Sequence, residues 1–173
     1  MGRTDPLPAA SLRLLDPVAD FEAVVAVYDR SMDFVRLERG DCAPEDAAHA
    51  FFDERPPKDG VRCDKMGVVG ADGGLDGLVD LAFDYPDAGD VFLGLLMLMP
   101  QARGAGLGGD ILERVKTIAR DAGARRLLLG VLDDNPRARA FWQRQGFGLE
   151  ATRGPFAFGT RSHLVHRLVL RLG

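Results

Sequence analysis

Residues 91–111 read VFLGLLMLMPQARGAGLGGDI, and this stretch predicts the centre of the fold. Its first part, Val91–Met99, is an almost unbroken apolar run, which is typical of a strand buried on both faces. Pro100 cannot donate to a strand ladder, so the strand should end there. A glycine-rich turn and an amphipathic helix follow. This order predicts a phosphate cradle, because glycines let the backbone approach an anion and a helix N-terminus offers unpaired N–H groups.

Two phosphate-binding motifs fit the turn. Gly104, Gly106 and Gly109 fit the dinucleotide fingerprint G-x-G-x-x-G, and Asp133 follows at about the twenty-residue distance that this motif requires. However, residues 100–103 separate the strand from the first glycine, and the turn lies past the middle of the chain, whereas the fingerprint usually opens its domain. A glycine-rich strand–helix turn without a ligand is the remaining alternative.

The second motif takes Arg103, Gly106 and Gly108 as R-x-x-G-x-G, and here the sequence resembles the GNAT superfamily of acyl-CoA-dependent N-acyltransferases. A second segment, NPRARAFWQRQGF at residues 135–147, resembles the N-x-x-A-x-x-F-Y-x-x-x-G-F signature of that family. One predicted helix and one predicted strand separate the two motifs, as the family requires. The two motifs together favour the acyltransferase interpretation over the dinucleotide one, for which the segment after Gly109 is also too short.

The resemblance implies that acetyl-CoA binds as a cosubstrate in a split between two parallel strands, at residues 93–98 and 127–131. The pantetheine arm would bond to backbone near Leu96 and Leu98, and the pyrophosphate would lie on the N–H groups of the glycine turn. The residues assigned to the coenzyme are Leu96, Leu98, Met99, Arg103, Gly104, Ala105, Gly106, Leu107, Gly108, Gly109, Asn135, Ala138 and Trp142. Asn135 is equally suited to cap the following helix, and both roles stay open. No metal is expected.

The catalytic groups are less well marked in the sequence. The family often has tyrosine as a general acid after the phenylalanine of the second motif, but here that position is Trp142, whose indole N–H donates a hydrogen bond and no proton near neutral pH. The central strand also lacks a carboxylate. Asp80 and Asp84 on the neighbouring predicted strand are therefore the candidate bases, and Tyr85 is a candidate acid. The alternation of side chains along a strand predicts that Asp80 and Asp84 lie on one face. The alternatives to catalysis are that they recognise a cation or are simply exposed to solvent.

Composition and charge point to one globular domain. The chain has 173 residues, 46% of them hydrophobic and 28% charged. Residues 1–10 are predicted to form a loose leader and residues 11–173 the domain. Residues 1–100 carry 9 Lys and Arg against 20 Asp and Glu, a net −11, while residues 101–173 carry 13 against 6, a net +7. The basic part suits coenzyme A and the acidic part suits a cationic amine, unless the charge merely varies along the chain.

Several partners and locations are disfavoured. The chain is acidic overall and lacks a basic run with interleaved aromatics, so no nucleic-acid partner is expected. No apolar run reaches membrane-spanning length, so no membrane association is expected. The first residues lack a hydrophobic signal core, so a cytoplasmic location is expected. Cys42 and Cys63 lack metal-like spacing and are interpreted as reduced thiols. The oligomeric state stays open, with a homodimer as one option.

The predicted fold class is α/β (α+β), a single GNAT-type domain with a mixed sheet of about seven strands flanked by about four helices. A first helix should follow Asp20, and a second should run from Pro44 to about Glu54. The resemblance implies an N-acetyltransferase that moves an acetyl group from acetyl-CoA to a primary amine of a small molecule, by direct attack in a ternary complex. The alternative is a non-catalytic acyl-CoA-binding sensor or interaction module of the same fold, motivated by Trp142 and the carboxylate-free central strand.

Overall fold

The computed structural model describes residues 10–173, which form one seven-stranded mixed sheet covered by five α-helices. The strands are β1 (Ser11–Leu14), β2 (Cys63–Val69), β3 (Leu75–Phe83), β4 (Asp90–Leu98), β5 (Arg126–Leu132), β6 (Gly148–Phe158) and β7 (Arg161–Arg171). The helices are α1 (Phe21–Asp29), α2 (Met32–Arg39), α3 (Pro44–Asp53), α4 (Leu107–Asp121) and α5 (Pro136–Arg144). The strand order is β1-β2-β3-β4-β5-β7-β6, which confirms the predicted mixed sheet. The predicted leader, apart from Ala10, lies outside the described residues.

The structure has one α-helix more than the approximate number of four that the sequence predicted. Helix α2 was missed because four of its eight residues are charged and Val35 is its one fully buried apolar side chain. The last two strands, β6 and β7, form a long hairpin. A register shift between Arg153 and Phe156 accommodates Gly154 and Pro155 within β6. No helix in residues 10–173 is long and apolar enough to cross a membrane.

The sheet buries a separate hydrophobic cluster on each face, because side chains alternate along its strands. Helices α4 and α5 cover one face, where Leu81 and Leu93 of the sheet meet Ile111 of α4. Helices α1, α2 and α3 cover the other face, where Leu78 and Met97 meet their apolar side chains. We call these the α4/α5 face and the α1–α3 face.

Strands β4 and β5 are the parallel pair within the described sheet, and they separate halfway along. They pair from Asp90 opposite Arg126 to Leu93 opposite Leu129, and the pairing then stops. At the paired end the guanidinium of Arg126 donates two hydrogen bonds, of 2.6 and 2.7 Å, to the buried carboxylate of Asp90. The predicted split between two parallel strands is therefore confirmed, and the ion pair holds its closed end.

A β-bulge explains why the strands part at this point. The β3–β4 register passes from Asp80 opposite Leu95 to Leu81 opposite Leu93, which leaves Gly94 as an extra residue on β4. A bulge bends its strand and increases the local twist. Strand β4 therefore turns away from β5 directly after its last pair with that strand.

The close packing of β3 against the end of β4 gives a stability prediction. A Cβ added at Gly77 would overlap the carbonyl oxygen of Met97 and lie 3.2 Å from Cα of Leu98. Because backbone atoms cannot move aside cheaply, Gly77→Ala should lower the free energy of unfolding by about 1–3 kcal/mol. Urea denaturation measures this change. The control is Gly148→Ala in β6, whose added Cβ would meet no described atom within 4 Å; equal losses in both variants would contradict the prediction.

Candidate active site

The glycine turn between β4 and α4 forms an open cradle at the helix N-terminus. Gly104 and Gly106 have φ of +87° and +82°, a left-handed conformation that glycine adopts without a Cβ clash. Gly104, Ala105 and Gly106 are exposed, and a Cβ at either of these glycines would meet no described atom within 4 Å. No side chain of the described residues caps α4. The first N–H groups of α4, from Leu107 onward, are therefore available to an anion.

Arg103 anchors this turn through its side chain. Its Nε donates to the carbonyl oxygen of Leu98 over 2.8 Å, and its Nη1 donates to a carboxylate oxygen of Asp33 over 2.6 Å. The hydrogen bond from Arg103 lowers the pKa of Asp33, against a smaller opposing effect of burial. The guanidinium therefore ties the turn to the end of β4 and to the first turn of α2.

The open edge of β4 presents peptide groups to the split. The N–H of Met99 donates to the carbonyl of Asp76, next to β3, over 2.8 Å. Successive peptide groups of a strand point to opposite sides, so those of Leu98 and Leu96 point away from β3 and toward the split. Met99 itself faces the other way, and its side chain is buried on the α1–α3 face. The predicted pantetheine contacts at Leu96 and Leu98 fit this geometry, and Met99 does not.

The second motif begins α5 and packs against the glycine turn. The side chain of Asn135 accepts a hydrogen bond from the N–H of Ala138 over 3.1 Å, which confirms its predicted role as N-cap. Trp142 lies in the core of the α4/α5 face, 8% exposed, with its ring stacked edge-on against Phe141 at 4.9 Å. A Cβ at Gly108 would lie 3.3 Å from the Phe141 ring. Gly108 therefore permits α4 to start close to α5.

Asp80 lies on the α1–α3 face at the apex of the split, which is the point beside Gly94 where β4 leaves β5. Its Oδ2 is 2.8 Å from Nζ of Lys65, and it lies 3.0 Å from the position that a Cβ of Gly94 would occupy. Its Oδ1 is buried and has no hydrogen-bond partner among the described residues. Burial raises the pKa of Asp80 above the ordinary aspartate value, although Lys65 opposes this shift. A carboxyl group with a raised pKa and one free oxygen is suited to accept a proton.

Asp84 and Tyr85 do not join Asp80 as the sequence predicted. Strand β3 ends at Phe83, and Asp84 has φ of +53°, which breaks the alternation and makes the predicted shared face of Asp80 and Asp84 wrong. The carboxylate of Asp84 accepts the N–H of Gly89 over 2.8 Å and so closes the β3–β4 turn at the paired end of the split. The Tyr85 ring packs edge-on against that of Phe92, with 5.7 Å between ring centroids.

Sequence reasoning missed a buried polar cluster next to Asp80. We define this cluster as Tyr28, Glu38, Arg39, Glu54, Lys65 and Asp80, of which Glu54 is exposed at the rim. Arg39 donates to the carboxylates of Glu38, over 3.1 Å, and Glu54, over 2.9 Å. Lys65 also donates to the backbone carbonyl of Glu54 over 3.1 Å. Burial raises the pKa values of Glu38 and Tyr28. The one sequence signal was Lys65, a charge inside a strand whose following neighbours are apolar.

Two buried histidines of β7 complete the surroundings of the split. The side chain of His163 is fully buried, and its Nε2 donates to the backbone carbonyl of Glu38 over 2.8 Å. Nε2 of His166 lies 2.7 Å from the carboxylate of Asp133, at the end of β5, and its Nδ1 lies 2.9 Å from the hydroxyl of Thr152. The described residues contain no group of three His, Cys, Asp or Glu side chains placed to hold a metal.

Surface pockets elsewhere do not belong to this arrangement. A pocket of about 290 Å³ beside Asp84 and one of about 590 Å³ beside Arg126 both lie at the end of the sheet where β4 and β5 stay paired. The chemical groups described above lie at the opposite, open end, between the glycine turn and Asp80.

The structure thus combines a split parallel strand pair, a glycine cradle and a second motif that caps α5. The model of the Acetyltransferase (GNAT) family matches residues 24–147, which is well over half of the chain. The chain belongs to the GNAT acetyltransferase family. The match runs from α1 to the end of the second motif, so it includes both the split and the buried polar cluster.

Curated GNAT relatives support the same placement over a shorter range. Uncharacterized N-acetyltransferases of Mycobacterium bovis and Mycobacterium tuberculosis are 39% identical to this chain over 67 residues, which is 39% of the chain. The matched segment spans 43% of the length of those relatives. It therefore supports a shared segment and not a shared activity of the whole proteins.

Solved GNAT structures match almost the whole chain. An acetyltransferase from Thermus thermophilus has a TM-score of 0.74 and 27% identity, and the match covers 96% of this chain and 99% of that one. A spermidine N-acetyltransferase from Vibrio cholerae, solved in complex with CoA and spermine, has a TM-score of 0.71 and 18% identity, with 95% and 96% covered. At this identity the second likeness establishes the fold alone.

Proposed function

We propose that this GNAT protein transfers the acetyl group of acetyl-CoA to the primary amine of a small cationic molecule. The observation that carries the proposal is the position of Asp80, whose carboxyl lies against Gly94 at the point where β4 leaves β5. The glycine cradle follows the other end of the same open stretch of β4. A base and an anion cradle are thus joined by one open strand edge.

The chain's own residues fit coenzyme A at two places. The backbone N–H groups of the glycine turn, around Gly106, would hold the pyrophosphate, because no described side chain uses the α4 N-terminus. The peptide groups of Leu96 and Leu98 would hold the pantetheine arm along the split. Acetyl-CoA supplies a thioester, whose activated acyl carbon would lie at the apex of the split.

Asp80 would take the proton that the amine loses. The amine nitrogen forms a bond to the acyl carbon, the carbon–sulfur bond breaks, and the proton passes to the carboxylate of Asp80, whose Oδ2 lies against Gly94, directly or through water. A strand N–H that faces the split beside Gly94 would stabilise the oxyanion. Since a thiol has a pKa of about 8.5, its thiolate leaves without a strong acid, which is consistent with Trp142 in place of a tyrosine.

The charge of the acceptor side favours a cationic acceptor. Residues 1–100, which include Asp80 and its neighbours Glu38 and Glu54, carry a net charge of −11. A negative potential of this kind attracts an ammonium group. The fold likeness to the spermidine N-acetyltransferase is consistent with an acceptor of this charge.

The test is acetyl-CoA turnover, measured as free thiol, across a panel of primary amines, with calorimetric CoA binding alongside. We expect CoA binding and thiol release with one class of cationic amine, because the site combines an anion cradle with an acidic acceptor side. CoA binding without thiol release for any amine would support the non-catalytic sensor instead. Absence of CoA binding would overturn both functions.

A further inference from the structure

Each of the two strands has a glycine where the split begins. Leu93 and Leu129 are the last paired residues of β4 and β5, and the next residue on each strand is a glycine, Gly94 and Gly130. Both glycines are exposed although they lie in the middle of otherwise largely buried strands. The apex of the split is therefore a hollow whose floor is bare backbone on both sides.

The side of this hollow formed by β5 has apolar walls. A Cβ at Gly130 would lie 2.8 Å from Cγ1 of Val165 on β7 and 4.0 Å from Cζ of Phe92 on β4. Both side chains are half-buried, so part of each still faces open space. On the β4 side the nearest group to Gly94 is the carboxyl of Asp80. The hollow thus has a proton-accepting group on one side and a branched aliphatic methyl on the other.

We propose that Val165 sets the acyl-chain length of the donor, restricting the enzyme to acetyl and similarly short acyl groups. The inference rests on the proposed acyl transfer, which places the acyl carbon at the apex of the split beside Asp80. A short acyl chain directed away from Asp80 meets Val165 and Phe92 over Gly130. Val165 fills the space that a longer acyl chain would need. Its Cγ1 lies over Gly130, which has no side chain of its own to occupy that space.

The test compares acetyl-CoA with butyryl-CoA in Val165→Ala. Each methylene in a hydrophobic pocket changes kcat/KM by about 10-fold or more, so the butyryl-to-acetyl ratio of kcat/KM should rise at least about 10-fold in this variant. The matched control is Val169→Ala, because Val169 is also half-buried and lies four residues along β7, opposite Leu128, where β4 and β5 still pair. Its ratio should stay within about twofold of the wild type.

Failure of this inference can be separated from failure of the proposed function. If the wild type turns over acetyl-CoA but Val165→Ala leaves the ratio unchanged, or Val169→Ala raises it equally, the assignment of Val165 is overturned. If no amine supports turnover, the affinities for butyryl-CoA and free CoA, measured by calorimetry, still test whether the hollow limits the acyl chain. Val165→Ala should then bind butyryl-CoA more tightly relative to free CoA, and an unchanged relative affinity would overturn the inference.

Discussion

Replacing Gly106 with aspartate is expected to weaken acetyl-CoA binding by at least about 100-fold. Gly106 lies at the start of α4 with φ of +82°, and nothing in the described chain fills the space beside it. A carboxylate about 4 Å from a phosphate costs about 4 kcal/mol at an effective dielectric constant of 20, and solvent screening reduces that figure. Isothermal titration calorimetry with CoA measures the loss directly.

Two control variants separate charge from backbone strain. Gly106→Asn has nearly the same shape, and asparagine and aspartate both enter the left-handed region more readily than most residues. Its loss of affinity should therefore be clearly smaller than that of the aspartate variant. Gly123→Asp places the same charge just after the other end of α4, at φ of +79°, and should leave CoA affinity unchanged. Retained CoA binding in Gly106→Asp would refute the phosphate cradle.

Asp80→Asn is expected to lower kcat by about 100-fold to 10,000-fold while the affinity for CoA stays the same. The amide keeps the shape of the side chain but has no basic oxygen to take the amine proton. Because the substitution leaves buried Lys65 without its anion, some loss of stability should accompany it. Unchanged CoA affinity in calorimetry shows that the variant is folded, and steady-state thiol release measures kcat.

Asp84→Asn is the matched control for this substitution. Asparagine tolerates the left-handed conformation of residue 84, and its side-chain oxygen can still accept the N–H of Gly89. We expect kcat close to that of the wild type, because this turn lies at the paired end of the split. A loss equal to that of Asp80→Asn would contradict the assignment of Asp80 as the base.

The pH dependence of activity should reflect the burial of Asp80. The base works only when it is deprotonated, and burial raises its pKa, so activity should fall with decreasing pH at a higher pH than an ordinary aspartate would give. The pH profile of kcat/KM for the amine measures this limb. The amine itself must also be neutral, so its own pKa contributes a second limb. When the profile is measured for two amines of different pKa, the limb that stays at the same pH belongs to Asp80. A limb that moves entirely with the amine would exclude Asp80 as the titrating base.

Local chemistry explains what the sequence determined by itself. The apolar run ending before Pro100 became β4, the left-handed glycines became the turn before α4, and Asn135 became an N-cap. Each of these outcomes depends on residues within a few positions of one another, such as the 3.1 Å bond from Ala138 to Asn135. The order of elements followed from hydrophobic period and turn residues, and the two motifs indicated the GNAT family.

Tertiary structure decided which side chains share the site, because strand register and helix docking join residues that are far apart in sequence. Asp80 reaches the apex of the split through the bulge at Gly94, whereas the left-handed turn at Asp84 directs that carboxylate elsewhere. His163 meets the backbone of Glu38 across 125 positions of the chain. Contacts of this kind arise only when β7 and α2 pack together, and no local pattern in either segment encodes them.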